Sequence, residues 1–285
     1  MAAAAWPTRA CRTTACGGAF TAQRISVDAD ATGNGYRSTS YGYTIGIDRQ
    51  ATDSLLLGVA ASYKNVDTTV SALGTAKTHG YGGALYAAWN RGSSYLTGVV
   101  DFNIDDYKVR RSVQLGDGAE SLKGNGAGFS YGADIEAGHR FGLGAGGVTP
   151  VAGIAFDRME RDAFGETGGT TTALRFDAEG RRAWTGRARL HVDSAFAAGG
   201  NAVIRPYVSA MAVQQLGAER TVLQANLGEA RFATRSVFTG RTELRAEAGL
   251  SANLAQSVSI DLRYRYTGLG NADAHAGNAT ISLRW

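Results

Sequence analysis

The sequence predicts an all-β fold: a closed antiparallel transmembrane β-barrel of about 12 strands. Three observations carry this. Segments of strictly alternating polarity recur along most of the 285 residues. The links between them alternate between short and long. The last segment ends on an aromatic side chain, Trp285. The clearest segment is 258–266, where Val258, Ile260, Leu262, Tyr264 and Tyr266 alternate with Ser259, Asp261, Arg263 and Arg265. A period of two gives a strand with two unlike faces. After a Gly/Asn/Asp-rich link (268–277) the same pattern returns as Ala279, Ile281, Leu283 and Trp285 against Thr280, Ser282 and Arg284. Tyr and Trp at the ends of the apolar rows suit a bilayer interface, which favours amphipathic rings. The apolar face is therefore read as facing lipid, and the charged face as lining a lumen.

The earlier strands follow in order. The first spans 18–29. The second, 38–49, sets Tyr41, Tyr43, Ile45 and Ile47 against Gly42, Thr44, Gly46 and Asp48. Past a turn at 50–53, the third places Leu55, Leu57, Val59, Ala61 and Tyr63 on one face. The fourth (77–90) carries Tyr81, Leu85 and Trp89 outward, and the fifth (95–110) Leu96, Val100, Phe102 and Ile104. The sixth, 127–142, alternates Phe129, Tyr131, Ile135 and Phe141 with Asp134, Glu136 and Arg140. The seventh (148–160), eighth (182–197), ninth (203–216) and tenth (235–254) complete the set before the two strands already described.

Links 50–53, 91–94, 142–147, 197–202 and 255–257 are short. Links 30–37, 67–77, 111–126, 161–181, 217–234 and 268–277 are long. Outer-membrane barrels sort their connections in this way, with short periplasmic turns and long outer loops. A soluble sandwich has no reason to. An even strand count puts both termini on the periplasmic side, and closing the sheet removes the edges that lipid could not satisfy.

Composition agrees with this reading. Glycine is abundant (39 residues) and proline scarce (3), as tight turns and close-packed strands require. Hydrophobic residues make up 44% of the chain, yet none of its apolar runs approaches the roughly 18 residues of a membrane helix. The net charge of +4 comes from basic residues dispersed along strands, which argues against a nucleic-acid surface. Cys11 and Cys16 stand in the first residues with no matching His or Cys, and are read as incidental thiols of a disordered leader, with a local disulfide in an oxidising compartment as the alternative. Residues 1–17 lack a secretory signal and are expected to be a linker or the remnant of an upstream region, with the barrel over 18–285.

Several stretches, in order, resemble the translocator domain of autotransporters (type V secretion). They are Tyr43–Asp48 with Leu57–Tyr63, Gly83–Tyr86 with Tyr95–Gly98, Ile135–Gly138, Thr149–Ile154, Phe164–Glu166 and Arg205–Val208. Gly277, Ile281, Leu283 and Trp285 resemble the C-terminal signal read by the outer-membrane barrel-assembly machinery, with Trp in the place usually held by Phe. The resemblance implies a monomeric twelve-stranded barrel in the outer membrane of a Gram-negative bacterium. It also implies that a linked N-terminal passenger crosses through the barrel to the cell surface. Its partners would be outer-membrane lipid, the assembly machinery and that passenger, with no nucleic acid, cofactor or metal.

Strand parity assigns a set of lumen charges: Asp134, Glu136, Arg140, Arg187, Arg189, His191, Asp193, Arg245, Glu247, Asp261, Arg263 and Arg265. His191 and Asp193 raise the thought of a hydrolase, but Ser194 has the opposite parity to His191, so a nucleophile is not positioned. A ladder of paired charges around a wet interior is the better reading, and no catalytic residue is expected. Two readings stay open beside the translocator: a stand-alone porin-like channel and a barrel-borne hydrolase dependent on His191.

Overall fold

The computed structural model describes residues 14–31, 33–71, 73–116, 118–199, 202–217, 222–235, 237 and 240–285. Cys11 and the expected leader as far as residue 13 lie outside these.

Twelve long strands form the wall: β1 (Thr14–Val27), β2 (Tyr36–Gln50), β3 (Leu55–Val70), β4 (Gly74–Arg91), β5 (Ser94–Leu115), β6 (Gly118–His139), β7 (Gly146–Arg161), β8 (Glu179–Ser194), β9 (Val203–Gln215), β10 (Thr242–Asn253), β11 (Val258–Leu269) and β12 (Ala272–Arg284). Each pairs antiparallel with its neighbours in sequence. β12 returns to β1 in continuous register, from Ala15 opposite Arg284 to Val27 opposite Ala272. Trp285 completes the seam: its N–H donates to the Thr14 carbonyl and the Thr14 N–H to its own, both at 3.1 Å. The twelve strands thus make a closed barrel, with every wall strand paired on both sides.

Alternation fixes which way each strand faces. Ile45 (68% exposed), Leu85 (63%) and Leu244 (63%) belong to a continuous outward apolar band. Such exposure would be a liability in water and is what a barrel offers to lipid. Aromatic side chains border the band at both ends, with Trp89, Phe141, Phe196 and Trp285 towards the short turns and Tyr43, Tyr81, Trp184 and Tyr264 towards the other end. No helix among the described residues is long and apolar enough to cross a membrane, which says nothing about strands.

Three of the expected long links, 67–77, 111–126 and 268–277, are tight hairpins at the tips of extended strands. β5 and β6 each run 22 residues, about twice the 9–11 needed to cross a bilayer. Beyond the apolar band the contrast switches face, with Tyr107, Val109 and Val113 of β5 and Leu122 of β6 turned inward and polar side chains outward, so the outward apolar row that reveals the strand in sequence ends while the ladder continues. The links 161–181 and 217–234 also contain strand. Phe164–Thr167 pairs with β6, Arg175–Phe176 joins it to Val222–Leu227, and Ala230–Arg235 ends this small second sheet. Strand β10 accordingly begins at Thr242 and not near 235. β1 begins at Thr14, ahead of the expected 18, because its small residues pair fully with β2 and β12. Cys16, expected in a disordered leader, lies within β1 beside Leu283 and Ile47.

Candidate functional site

The lumen has two unlike walls. Around β1 to β4 the inward positions are mostly small, including Gly17, Ala19, Gly42, Gly46, Ala60 and Gly82. From β6 to β11 charged side chains are concentrated inside, on and just after β6 and on β8, β10 and β11, with smaller or uncharged inward residues such as Thr149, Gly153, Tyr207 and Ser209 on β7 and β9 between them.

The charged residues fall into three groups. In the first, Arg187 of β8 forms a two-pronged pair with Asp134 of β6 and lies 3.4 Å from Glu136. Arg189 lies 2.5 Å from the same Glu136, which also accepts a hydrogen bond from the Tyr95 hydroxyl at 3.0 Å. In the second, Arg140 reaches Asp193 at 2.7 Å, while His191 tilts against the Tyr207 ring at 5.1 Å between centroids. In the third, Glu247 meets Arg265 at 2.6 Å and Arg263 at 4.0 Å. Asp261 accepts from Ser251 at 2.7 Å, from Tyr207 at 3.3 Å and from Arg263 at 3.4 Å. Arg245 pairs with Glu243 of its own strand.

Arg187 and Arg189 reach Glu136 across an intervening strand, and glycine allows the crossing. Arg187 stands opposite Gly153 of β7, which stands opposite Glu136. A Cβ on Gly153 would sit 2.7 Å from the Arg187 Nε, so any side chain there would obstruct the bridge. Tyr207 crosses Gly249 of β10 in the same manner, with 2.2 Å between its ring and the place a Cβ would take, to reach Asp261 and Arg263 on β11. The glycines read from composition as close-packing residues are therefore the saddles over which long lumen side chains pass. Beside the first group lies a cavity of about 350 Å³ lined by Asp101, Asp134, Asp157, Arg187, Glu243 and Arg245.

The hydrolase reading finds no geometry. Asp193 is engaged by Arg140. Ser209, directly opposite His191, donates its hydroxyl to Glu247 at 3.3 Å. No nucleophile–base pair links serine to this histidine among the described residues. Nor do these contain a group of three or more His, Cys, Asp or Glu able to hold a metal ion. Tyr95, Tyr207, Ser209 and Asp157 take part in the lumen network or line its cavity and were not singled out from sequence. Tyr95 could have been, since its parity is opposite to that of the outward Leu96.

Gly277, Ile281, Leu283 and Trp285 share the outward face of β12 and its end, where Ile281, Leu283 and Trp285 are 50%, 45% and 65% exposed. They form an apolar ridge beside the β1–β12 seam.

The autotransporter β-domain family model matches residues 18–265. The barrel superimposes on the translocator domain of the autotransporter NalP from Neisseria meningitidis with a TM-score of 0.79 at 16% identity, covering 97% of this chain and 90% of that one. The β-domain of the Bordetella autotransporter BrkA gives a TM-score of 0.72 at 20% identity, covering 96% and 100%. Among curated proteins, an extracellular serine protease of Serratia marcescens is 24% identical over 255 residues, which are 88% of this chain. The chain spans about a quarter of that protein's length, 24%.

Proposed function

The chain belongs to the autotransporter β-domain family and forms a translocator barrel, and we propose that it anchors in the outer membrane of a Gram-negative bacterium and conducts a linked N-terminal passenger to the cell surface. The observation that best supports this is the pairing of lumen charges with one another. A polypeptide in transit would meet few unpaired charges able to hold it, and a facing wall of Gly, Ala, Ser and Thr that leaves room for its backbone. Lumen charges paired across strands also stiffen the barrel, while the outward band supplies the contact with lipid.

In this reading the barrel acts as a monomer, performs no catalysis, and the long-loop end faces outward from the cell. The ridge formed by Ile281, Leu283 and Trp285 beside the seam is the surface offered to the barrel-assembly machinery. The family match favours the translocator over a stand-alone porin-like channel.

The test is an epitope placed in the upstream part of the full gene, far enough ahead of Thr14 for the connecting chain to run the length of the pore from its short-turn end. Surface labelling of that epitope on intact cells, with the barrel folded in the outer membrane, is the expected result. A folded barrel whose epitope stays periplasmic, together with steady open-channel conductance, would point to the channel instead.

A further inference from the structure

Beyond the apolar band, the outward faces of β4, β5 and β6 set cation against cation. Lys77 of β4 is the cross-strand partner of Lys108 of β5, and Arg110 of β5 is the partner of Lys123 of β6. All four are exposed and share the parity of the outward residues Tyr81, Ile104 and Phe129. Like charges directly opposite one another destabilise an antiparallel pair. Here two such pairs adjoin, because Lys108 and Arg110 are two residues apart on one face.

The opposite face of the same hairpin shows the usual arrangement. Arg111 is held by Glu166 at 2.6 Å, and Glu120 accepts hydrogen bonds from the backbone of Thr170, Thr171 and Thr172. Outward, Lys77 has Asp67 at 3.1 Å. Lys108, Arg110 and Lys123 have no ion-pair partner among the described residues. Asp106, opposite His79 and Ala127, is the other carboxylate on this face. The patch therefore keeps an excess of cations at a cost to its own pairing.

We infer that this patch binds the phosphate groups of a glycolipid in the leaflet around the long-loop end of the barrel. Lys77 lies four residues beyond Tyr81 and Lys108 four beyond Ile104, about 13 Å along each strand. With a strand tilt near 40° that is roughly 10 Å above the apolar band, the level of headgroups and not of acyl chains. Long cationic side chains can lean along the wall to meet an anion at that depth, and phosphate takes charge-assisted hydrogen bonds from Lys and Arg alike. A phosphate set between the two pairs turns mutual repulsion into shared attraction. A free phosphate offers the same chemistry, but the height of the patch favours a lipid-borne one. The inference rests on the outer-membrane placement proposed above.

The test uses the whole chain refolded in detergent, beside the variant Lys108→Gln/Arg110→Gln/Lys123→Gln. Each is given a bisphosphorylated glycolipid, its dephosphorylated counterpart, or pyrophosphate, and bound molecules are counted by native mass spectrometry. The bisphosphorylated lipid should be retained by the wild type, and the variant should lose at least about tenfold of that retention. The dephosphorylated lipid should bind no better to the wild type than to the variant. Asp106→Asn should raise retention, since it removes a competing negative charge. Equal retention of both lipids, or of one lipid by both proteins, would overturn the site, and variant-sensitive binding of pyrophosphate alone would overturn the lipid source. Heat-modifiable gel mobility and dependence on detergent are measured on both proteins. Their loss refutes the membrane placement, whereas their persistence without glycolipid binding refutes only the patch.

Discussion

Arg189 of β8 lies 2.5 Å from Glu136 of β6, with all of β7 between their backbones, and each side chain is only 10% exposed. A pair so shielded resists separation, because either partner alone would be a charge with few means of solvation. Glu136→Ala should lower the unfolding free energy of the refolded barrel by about 3 kcal/mol, read from urea titrations in detergent. Glu136→Gln should lose less, since its amide oxygen still accepts from Tyr95 or Arg189. Equal stability of wild type and Glu136→Ala would show that the pair contributes nothing.

Gly249→Ala places a methyl group against the Tyr207 ring and should displace its hydroxyl from Asp261 and Arg263. The expected loss is about 1–3 kcal/mol, the usual cost of overpacking. If the clash with Tyr207 is the cause, adding Gly249→Ala to a Tyr207→Ala background should cost much less than in the wild type. A fully additive double variant would place the cause elsewhere.

Glu120 lies near the tip of the β5–β6 hairpin, outside the part that crosses the membrane. The Thr172 hydroxyl is the foremost of the donors that hold its pKa at about 2, against an ordinary value of 4.5, followed by the Thr170 amide. A depressed pKa means a contribution to folding that is complete above about pH 4.5 and is lost as pH falls towards 2. The amide resonances of Thr170, Thr171 and Thr172 should therefore titrate together with a midpoint near 2 and be silent in Glu120→Gln. A midpoint at the ordinary carboxylate value would mean that the loop does not hold the group.

Trp285→Ala should separate assembly from stability. Refolding in detergent should be little affected, because the contribution of Trp285 to the seam is made by its backbone. In cells, the heat-modifiable outer-membrane fraction should fall severalfold if the outward ridge on β12 is read during assembly. A loss of equal size in both settings would assign Trp285 to the fold alone.

Strand parity was legible wherever one face was apolar, so the positions of Asp134, Glu136, Arg187 and Arg263 on the inner wall could be read directly. Their partners could not. Arg187 pairs with Asp134 two strands away, and that depends on register and on Gly153 between them, neither of which leaves a local trace. The upper halves of β5 and β6 were hidden for a related reason. Segments such as Lys108–Ser112 and Ser121–Asn125 hold a single apolar residue each, Val109 and Leu122, and on the inner face, so they look like loop, although they pair without interruption. The sheet formed by Phe164–Thr167, Arg175–Phe176 and Val222–Leu227 was also out of reach, being built of pieces too short to show a period.

The most direct measurement is a spin-label scan along β5, one label at a time from Leu96 to Ile104, in a Cys11→Ser/Cys16→Ser background reconstituted in bilayers. Oxygen, which concentrates among acyl chains, should relax labels at 96, 100, 102 and 104 strongly. A water-soluble nickel chelate should instead reach those at 97, 99, 101 and 103. Labels that fail to alternate, or that respond to nickel at the even positions, would contradict a lipid-facing wall around a wet lumen.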